Sequence, residues 1–247
     1  MAGDLSVTER GSGLPILLVH GSAADSGTWT IQMATLAKTH RLVAYDRRHG
    51  VTSVAQHADD AAAILDRLGL ESAHACGSSF GAVIALELAR TRPDRVKSAI
   101  LCEPPMACGD DLPPVPNGFG CAFDRVAKQR GGPAAGALFL KLVLSHEVFE
   151  SMPAAFRERA CATWKQIRED SLALAAYRPR YFELVRVPVK MLLLSGQRSS
   201  PYYTDTLDTL ATHLPNARVQ VLPGAGHMMH AEAPRQFNQA VTAFVQE

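Results

Sequence analysis

Two serines stand side by side in the stretch Cys76-Gly-Ser-Ser-Phe-Gly81, and only Ser79 has a glycine two positions away on each side. Ser79 lies where a short apolar run, 72–76, changes to a helical pattern, 79–90. A G-x-S-x-G turn between a strand and a helix is sharp and strained, and bulkier flanking residues would clash there. The sequence therefore predicts that Ser79 is a nucleophile, with Ser78 in the variable position beside it.

A serine hydroxyl needs a base to take its proton and donors to stabilise the oxyanion that forms. His227 is the predicted base, because it lies in a glycine loop directly after the last predicted strand, and His230 is the alternative. The predicted donors are the backbone N–H groups of Ser22 and Phe80. Ser22 follows an apolar strand that ends at His20, and Phe80 opens a helix whose dipoles favour negative charge.

Alternating apolar strands and amphipathic helices must position these residues. Six runs read as strands, at 14–20, 41–46, 72–76, 96–102, 189–195 and 217–222. Five segments between them read as helices, at 28–38, 53–68, 79–90, 203–213 and 234–246. Strand–helix alternation of this kind means crossover connections, so we expect an α/β fold with a mostly parallel, doubly wound sheet.

The alternation stops between Met106 and Val187, where no strand pattern occurs. This segment follows Pro104-Pro105 and contains a proline-rich loop at 112–118, and helical patterns follow at 123–130, 134–144 and 153–167. A helical segment of this length between two strands predicts a cap over the strand ends. The predicted domains are a core of residues 1–105 and 187–247 and a helical cap of residues 106–186.

The motif order H-G-x, then G-x-S-x-G, then G-x-G-H, spread over almost the whole chain, resembles the α/β-hydrolase fold superfamily. The resemblance implies a triad in the chain order Ser, acid, His. In relatives the acid commonly follows the strand that corresponds to 189–195. The loop at 196–201 has no carboxylate here, and Ser199 occupies the expected position.

Some members of the superfamily, haloalkane dehalogenases among them, carry the acid at the end of the strand after the nucleophile helix. In this chain Glu103 directly follows the strand 96–102 and precedes two prolines. Glu103 is therefore the predicted acid, since it could reach the far nitrogen of His227 and fix its tautomer. Asp205 is the alternative acid, and a dyad without an acid is the remaining alternative.

Composition and charge exclude several classes of partner. The chain has 25 basic and 24 acidic residues among 247, and its longest basic run is Arg47-Arg48, which argues against binding nucleic acid or an anionic membrane. The charges of the loop 46–50 are interpreted as structural, pairing loops near the site. No run is apolar enough to span a membrane and no leader pattern is present, so we expect a cytoplasmic protein.

The five cysteines lack CxxC spacing and no HExxH motif occurs, so we expect no metal and no cofactor. The expected function, as the resemblance implies, is a cofactor-independent serine hydrolase that cleaves a small or medium, largely apolar carboxylic ester or lactone through an acyl-enzyme. A thioesterase or C–C bond hydrolase with the same triad, and a hydrolase-fold ligand-binding protein with little turnover, are the alternatives. The substrate is a small molecule, Trp29, His20 and Ser78 are predicted to line its pocket, and a homo-oligomer is left open.

Overall fold

A computed structural model describes residues 5–109 and 113–247. The first residues of the predicted core and the start of the predicted proline-rich loop, at Leu112, lie outside the described residues. A seven-stranded sheet runs through the described part in the order β1-β3-β2-β4-β5-β6-β7. Its strands are β1 (Val7–Arg10), β2 (Leu14–Val19), β3 (His40–Tyr45), β4 (Ala73–Ser78), β5 (Val96–Cys102), β6 (Lys190–Gly196) and β7 (Ala217–Leu222).

Strands β2 to β7 pair in parallel, and β1 pairs antiparallel with β3 at one edge. The predicted α/β fold with a mostly parallel sheet is therefore confirmed. The edge strand β1 has no counterpart among the predicted strands. Its sequence, Val-Thr-Glu-Arg, is short and mostly exposed, so it lacks the apolar run that marks a buried strand.

Helices cover both faces of the sheet. In the order of the chain they are α1 (Thr30–Thr35), α2 (Val54–Arg67), α3 (Phe80–Thr91), α4 (Phe119–Arg130), α5 (Gly132–Leu144), α6 (His146–Ser151), α7 (Ala154–Ala162), α8 (Trp164–Ala176), α9 (Tyr181–Leu184), α10 (Pro201–His213), α11 (Met229–Glu232) and α12 (Pro234–Val245). Leu17 and Val19 of β2 pack in a cluster with α2, α3 and α10, whereas Ile16 and Leu18 pack in a second cluster with α1 and α12. Successive residues of the strand thus point alternately into the two apolar layers on either face of the sheet.

Helices α4 to α9 all lie between β5 and β6 in the chain, where the sequence predicts a helical insertion. The pattern at 153–167 reads as one helix but forms two, because α7 ends before Thr163, whose hydroxyl donates to the Ala160 carbonyl oxygen at 2.7 Å. The short helix α6 was not predicted. Its first turn is capped by Ser145 Oγ, which accepts the Val148 N–H. The exact division into core and cap stays a prediction.

The first turn of α3 packs directly on the end of β2. A Cβ on Gly81 would lie 2.2 Å from the carbonyl oxygen of Val19 and 2.6 Å from that of His20. These neighbours are backbone atoms of a central strand, so they cannot move aside cheaply. Glycine at position 81 therefore allows the helix to sit against the strand.

We expect Gly81→Ala to lower the free energy of unfolding by about 1 to 3 kcal/mol or more, because the new methyl group overpacks the β2–α3 contact. Urea denaturation measures the change. Gly109→Ala is the matched control, since a Cβ on Gly109 meets nothing within 4 Å. Equal denaturation midpoints for the two variants would contradict the close approach.

Several histidines are buried in the uncharged form. His57 on α2 lies edge-on to the ring of Phe80, with centroids 5.6 Å apart. Burial, with a further contribution from the charges of Arg47 and Arg48, lowers the pKa of His57 from 6.5 to about 3. The unfolded chain therefore binds this proton more readily than the folded chain does. The part of the free energy of unfolding that is linked to His57 is fully present above about pH 6.5. It is lost progressively as the pH falls from 6.5 towards 3.

We expect His57→Leu to reduce the loss of stability between pH 7.5 and pH 5 by about 1 to 2 kcal/mol, since leucine has no proton to bind in the unfolded state. Urea denaturation at the two pH values gives the difference. His146→Leu is the control, because the side chain of His146 is 74% exposed. An unchanged pH slope in His57→Leu would show that this histidine is not held neutral.

Candidate active site

Ser79 occupies the sharp turn between β4 and α3. Its backbone angles are φ 54° and ψ −122°, in a region that side chains other than glycine rarely adopt. Its N–H donates to the Cys102 carbonyl oxygen at 2.8 Å, and its own carbonyl accepts the Ala82 N–H that begins α3. A Cβ on Gly77 would lie 2.1 Å from the Gly81 carbonyl oxygen. The two glycines thus make room for each other, and the turn holds Ser79 between them.

Glu103 and His227 follow the carboxyl ends of β5 and β7, the strands on either side of β6, and meet there. Glu103 Oε2 lies 2.6 Å from Nδ1 of His227, and Oε1 accepts the Gly196 N–H at 2.7 Å and the Ser195 hydroxyl at 3.3 Å. The Glu103 side chain is 0% exposed. In the tautomer whose Nδ1–H donates to this carboxylate, the lone pair of His227 is on Nε2, as a base that takes the proton of a serine requires.

Glu232, a residue that the sequence did not single out, holds the loop that carries His227. Glu232 Oε2 accepts the Gly226 N–H at 2.9 Å, and Oε1 accepts the Met228 N–H at 3.2 Å. The imidazole of His227 also stacks on the Tyr203 ring, with centroids 4.3 Å apart. A glutamate five residues after a histidine is too common a spacing to have revealed this role.

The alternative residues do not form this pair, although His230 lines the same pocket as Ser79 and His227. Asp205 is exposed on α10 and Ser199 carries a hydroxyl, so the carboxylate at His227 comes from Glu103. His230, the alternative base, is buried, with Nε2 3.0 Å from Thr28 Oγ1. Burial, with a smaller contribution from His227, lowers the pKa of His230 to about 4. The acid–histidine pair that the structure forms is therefore Glu103 with His227.

The loop after β2 passes against the turn that holds Ser79. A Cβ on Gly21 would lie 3.0 Å from Ser79 Cβ and 2.9 Å from the Ser78 carbonyl oxygen. Ser22, one of the two predicted oxyanion donors, is the next residue of this loop. Phe80, the other, contributes the first N–H of α3, which has no partner within the helix. Both predicted donors thus belong to segments adjacent to Ser79.

Two adjoining pockets, called here the narrow and the wide lobe of the cavity, lie at Ser79. Ser22, Ser79, Phe139 and Val143 line both lobes. The narrow lobe, about 80 Å³, also has His227 in its wall, together with Leu140, Met152, Phe156 and Arg159 from the inserted helices. The wide lobe, about 250 Å³, is bounded by Val115, Phe119, Leu174, Tyr202 and Tyr203 among others. Apolar side chains supply most of the wall in both.

Two of the predicted pocket residues do not line this cavity, and that part of the prediction is wrong. Trp29 is 0% exposed and packs in the layer with α12, where its ring lies 6.1 Å from Phe237. His20 is buried between the Gly21 carbonyl oxygen and the Arg47 N–H. Both follow β2 in the chain but turn into the protein. Ser78, the third, lies in the wall of the narrow lobe.

Two further features of the described residues bear on the sequence predictions. Across residues 5–109 and 113–247, His, Cys, Asp and Glu form no group of three or more that could hold a metal ion. No helix within the same ranges has the length and apolar character needed to cross a membrane. The cytoplasmic location, the absence of nucleic-acid and membrane partners, and a homo-oligomer stay predictions.

The chain is similar to several known proteins along nearly its whole length. RutD of Azorhizobium caulinodans, named as a carbamate hydrolase, is 28% identical over 99% of this chain and 96% of its own length. The 2-hydroxymuconate semialdehyde hydrolase of Pseudomonas putida is 26% identical over 97% of this chain and 89% of its own length. The structure of a thermophilic esterase from Thermogutta terrifontis superimposes with a TM-score of 0.83 at 25% identity, covering 98% of this chain and 93% of the esterase.

Residues 16–240 match the family model described as the alpha/beta hydrolase family. This match includes the Ser79 turn, Glu103 and the His227 loop, and it spans the sheet from β2 to the last helix. The relatives are named as hydrolases and esterases. The protein is therefore an enzyme that belongs to the alpha/beta hydrolase family.

Proposed function

We propose that the protein is a serine hydrolase that cleaves a small or medium, largely apolar carboxylic ester or lactone through an acyl-enzyme. The observation that carries the proposal is one cavity with Ser79 and His227 in its wall and Glu103 bonded to the far side of the imidazole. Nucleophile, acid and base then follow one another in the chain order that this fold uses. The substrate would be a small molecule, and the proposal requires no cofactor.

In the proposed reaction, Ser79 Oγ attacks the ester carbonyl carbon while Nε2 of His227 takes the hydroxyl proton. The tetrahedral oxyanion accepts hydrogen bonds from the N–H groups of Ser22 and Phe80. The C–O bond to the leaving group breaks, and His227 returns the proton to the departing alcohol. Water, activated by His227, then hydrolyses the acyl-enzyme and releases the acid. Glu103 accepts the Nδ1–H of His227 and stabilises the imidazolium in both steps.

The shape and lining of the cavity support an apolar substrate with two unequal parts. The lobes of about 80 Å³ and 250 Å³ share Ser22 and Ser79, so a bond held at Ser79 can place one group in each lobe. Aliphatic and aromatic side chains favour hydrocarbon in both, because its transfer from water is favourable. A small acyl or alcohol group and a larger apolar partner would fit this division.

The alternatives differ in how much supports them. A thioester or a C–C bond could be cleaved by the same three residues, and no observation within the cavity favours either over an ester. The relatives' names mention different compounds, so they do not name a substrate for this chain. The argument for a binding protein with little turnover was the missing acid after Gly196. That argument fails because Glu103 takes the place beside His227.

A fluorophosphonate probe tests the nucleophile. We expect it to label wild type and Ser78→Ala but not Ser79→Ala, since Ser79 lies at the tip of the turn whereas Ser78 is the last residue of β4. Ser79→Ala should also lose about a thousandfold or more of its activity on p-nitrophenyl butyrate. Ser78→Ala is the matched control, one residue away in the same stretch. Labelling at Ser78, or none in wild type, would contradict the proposal.

Substitution of the acid tests the pairing with His227. We expect Glu103→Gln to lower kcat by about three to four orders of magnitude, because an amide at this position no longer stabilises the imidazolium or fixes the Nδ1–H tautomer. Asp205→Asn is the control and should keep wild-type kcat. Steady-state kinetics of purified, folded variants gives both values. A loss confined to Asp205→Asn would transfer the role of the acid to that residue.

A further inference from the structure

A buried ion pair connects the core to the inserted helices close to Ser79. Arg47, in the loop after β3, donates from Nη1 and Nη2 to the two carboxylate oxygens of Asp170 on α8, each at 2.8 Å. The two side chains are 0% and 2% exposed. A buried ion pair gives little net stability over an apolar contact of the same size, because both charges must leave water. Its presence close to Ser79 therefore points to a role other than stability.

The same two residues hold the loop that contains Ser22. The Ser22 hydroxyl donates to Asp170 Oδ2 at 2.6 Å. Arg47 Nη2 also donates to the Gly21 carbonyl oxygen at 3.1 Å. The peptide between Gly21 and Ser22, which provides the Ser22 N–H, is thus fixed from both its ends by the ion pair.

Arg47 also contacts the second predicted donor and the histidine before the loop. Its guanidinium carbon lies 4.7 Å from the centre of the Phe80 ring, within range of a cation–π contact. The backbone N–H of Arg47 donates to Nε2 of His20 at 3.1 Å, and His20 Nδ1 lies 2.9 Å from the Gly21 carbonyl oxygen. Burial, aided by the charge of Arg47, keeps the pKa of His20 well below its usual value, so the ring stays neutral and its Nδ1–H donates to Gly21.

We propose that Arg47 and Asp170 are positioning residues that hold the N–H groups of Ser22 and Phe80 in place for the oxyanion, and that α8 thereby becomes part of the catalytic centre. The proposal rests on the proposed function, in which these N–H groups stabilise the tetrahedral intermediate. Such donors act through being fixed before charge develops, so a small displacement is costly. Neither Arg47 nor Asp170 needs to touch the substrate, and neither lines the cavity.

Ser22→Ala and Asp170→Asn test the proposal. Ser22→Ala removes only the hydroxyl that bonds Asp170 and keeps the backbone N–H and the ion pair. We expect kcat for p-nitrophenyl butyrate to fall about tenfold or more in each variant, with KM changed by less than about twofold. The affinity of a boronic acid, whose adduct with Ser79 is tetrahedral, should fall by the same factor as kcat. The double variant should lose no more kcat than the more severely impaired single variant, since both changes act through one contact.

Glu169→Gln is the matched control, because Glu169 is the neighbour of Asp170 on α8 and accepts the Gly50 N–H instead. The fraction of active sites is counted with a fluorophosphonate, so that kcat refers to folded protein only. A purely structural role would lower the melting temperature and the active fraction but leave kcat for each labelled site, and the boronic acid affinity, unchanged. If Asp170→Asn does not fold, Ser22→Ala decides alone.

The outcomes separate this proposal from the proposed function. Absence of labelling in wild type would overturn the function itself. Labelled wild type together with a Ser22→Ala variant whose kcat and boronic acid affinity stay within about twofold of wild type would overturn the positioning role and leave the function standing. A loss of kcat in Glu169→Gln equal to that in Asp170→Asn would also overturn it.

Discussion

The buried carboxylate of Glu103 is the interaction on which the candidate site depends. It joins the carboxyl ends of three segments: it follows β5, accepts the Gly196 N–H at the end of β6, and bonds His227 after β7. A carboxylate that is wholly removed from water is costly unless its oxygens are satisfied. The positive φ of Glu103, 47°, shows that the backbone adopts a strained conformation to bring the side chain there. The position of His227 is then a consequence of satisfying this charge.

The second constraint is the close approach of backbone segments around Ser79. Gly81 fits against the end of β2 and Gly21 fits against Ser79, so the loop with Ser22 and the start of α3 are brought together without intervening side chains. This contact brings the segments that carry the two proposed oxyanion donors next to the turn at Ser79. The buried pair of Arg47 and Asp170 then acts on a geometry that the glycines make possible.

Local patterns were enough to predict the six parallel strands, the turn at Ser79 and the loop at His227, because an apolar run and a glycine spacing are properties of a few adjacent residues. The positions of single side chains were harder to predict, since they depend on contacts with residues far away in the chain. Trp29 and His20 both follow β2 in the chain. Trp29 nevertheless packs on Phe237, and His20 accepts the backbone N–H of Arg47, so both side chains are buried away from the cavity. Asp170 and Glu232 were missed for the same reason, because neither carries a local signal.

The division of labour between the sheet and the inserted helices follows from these contacts. The proposed reacting groups come from strand ends, whereas Phe139 and Val143 of α5 line both lobes of the cavity. Substitutions in α5 can therefore alter which groups fit without moving Ser79 or His227. Helix α8 differs from α5 in this respect. Because Asp170 bonds Ser22 and Arg47, a change in the packing of α8 reaches the chemistry as well as the shape of the site.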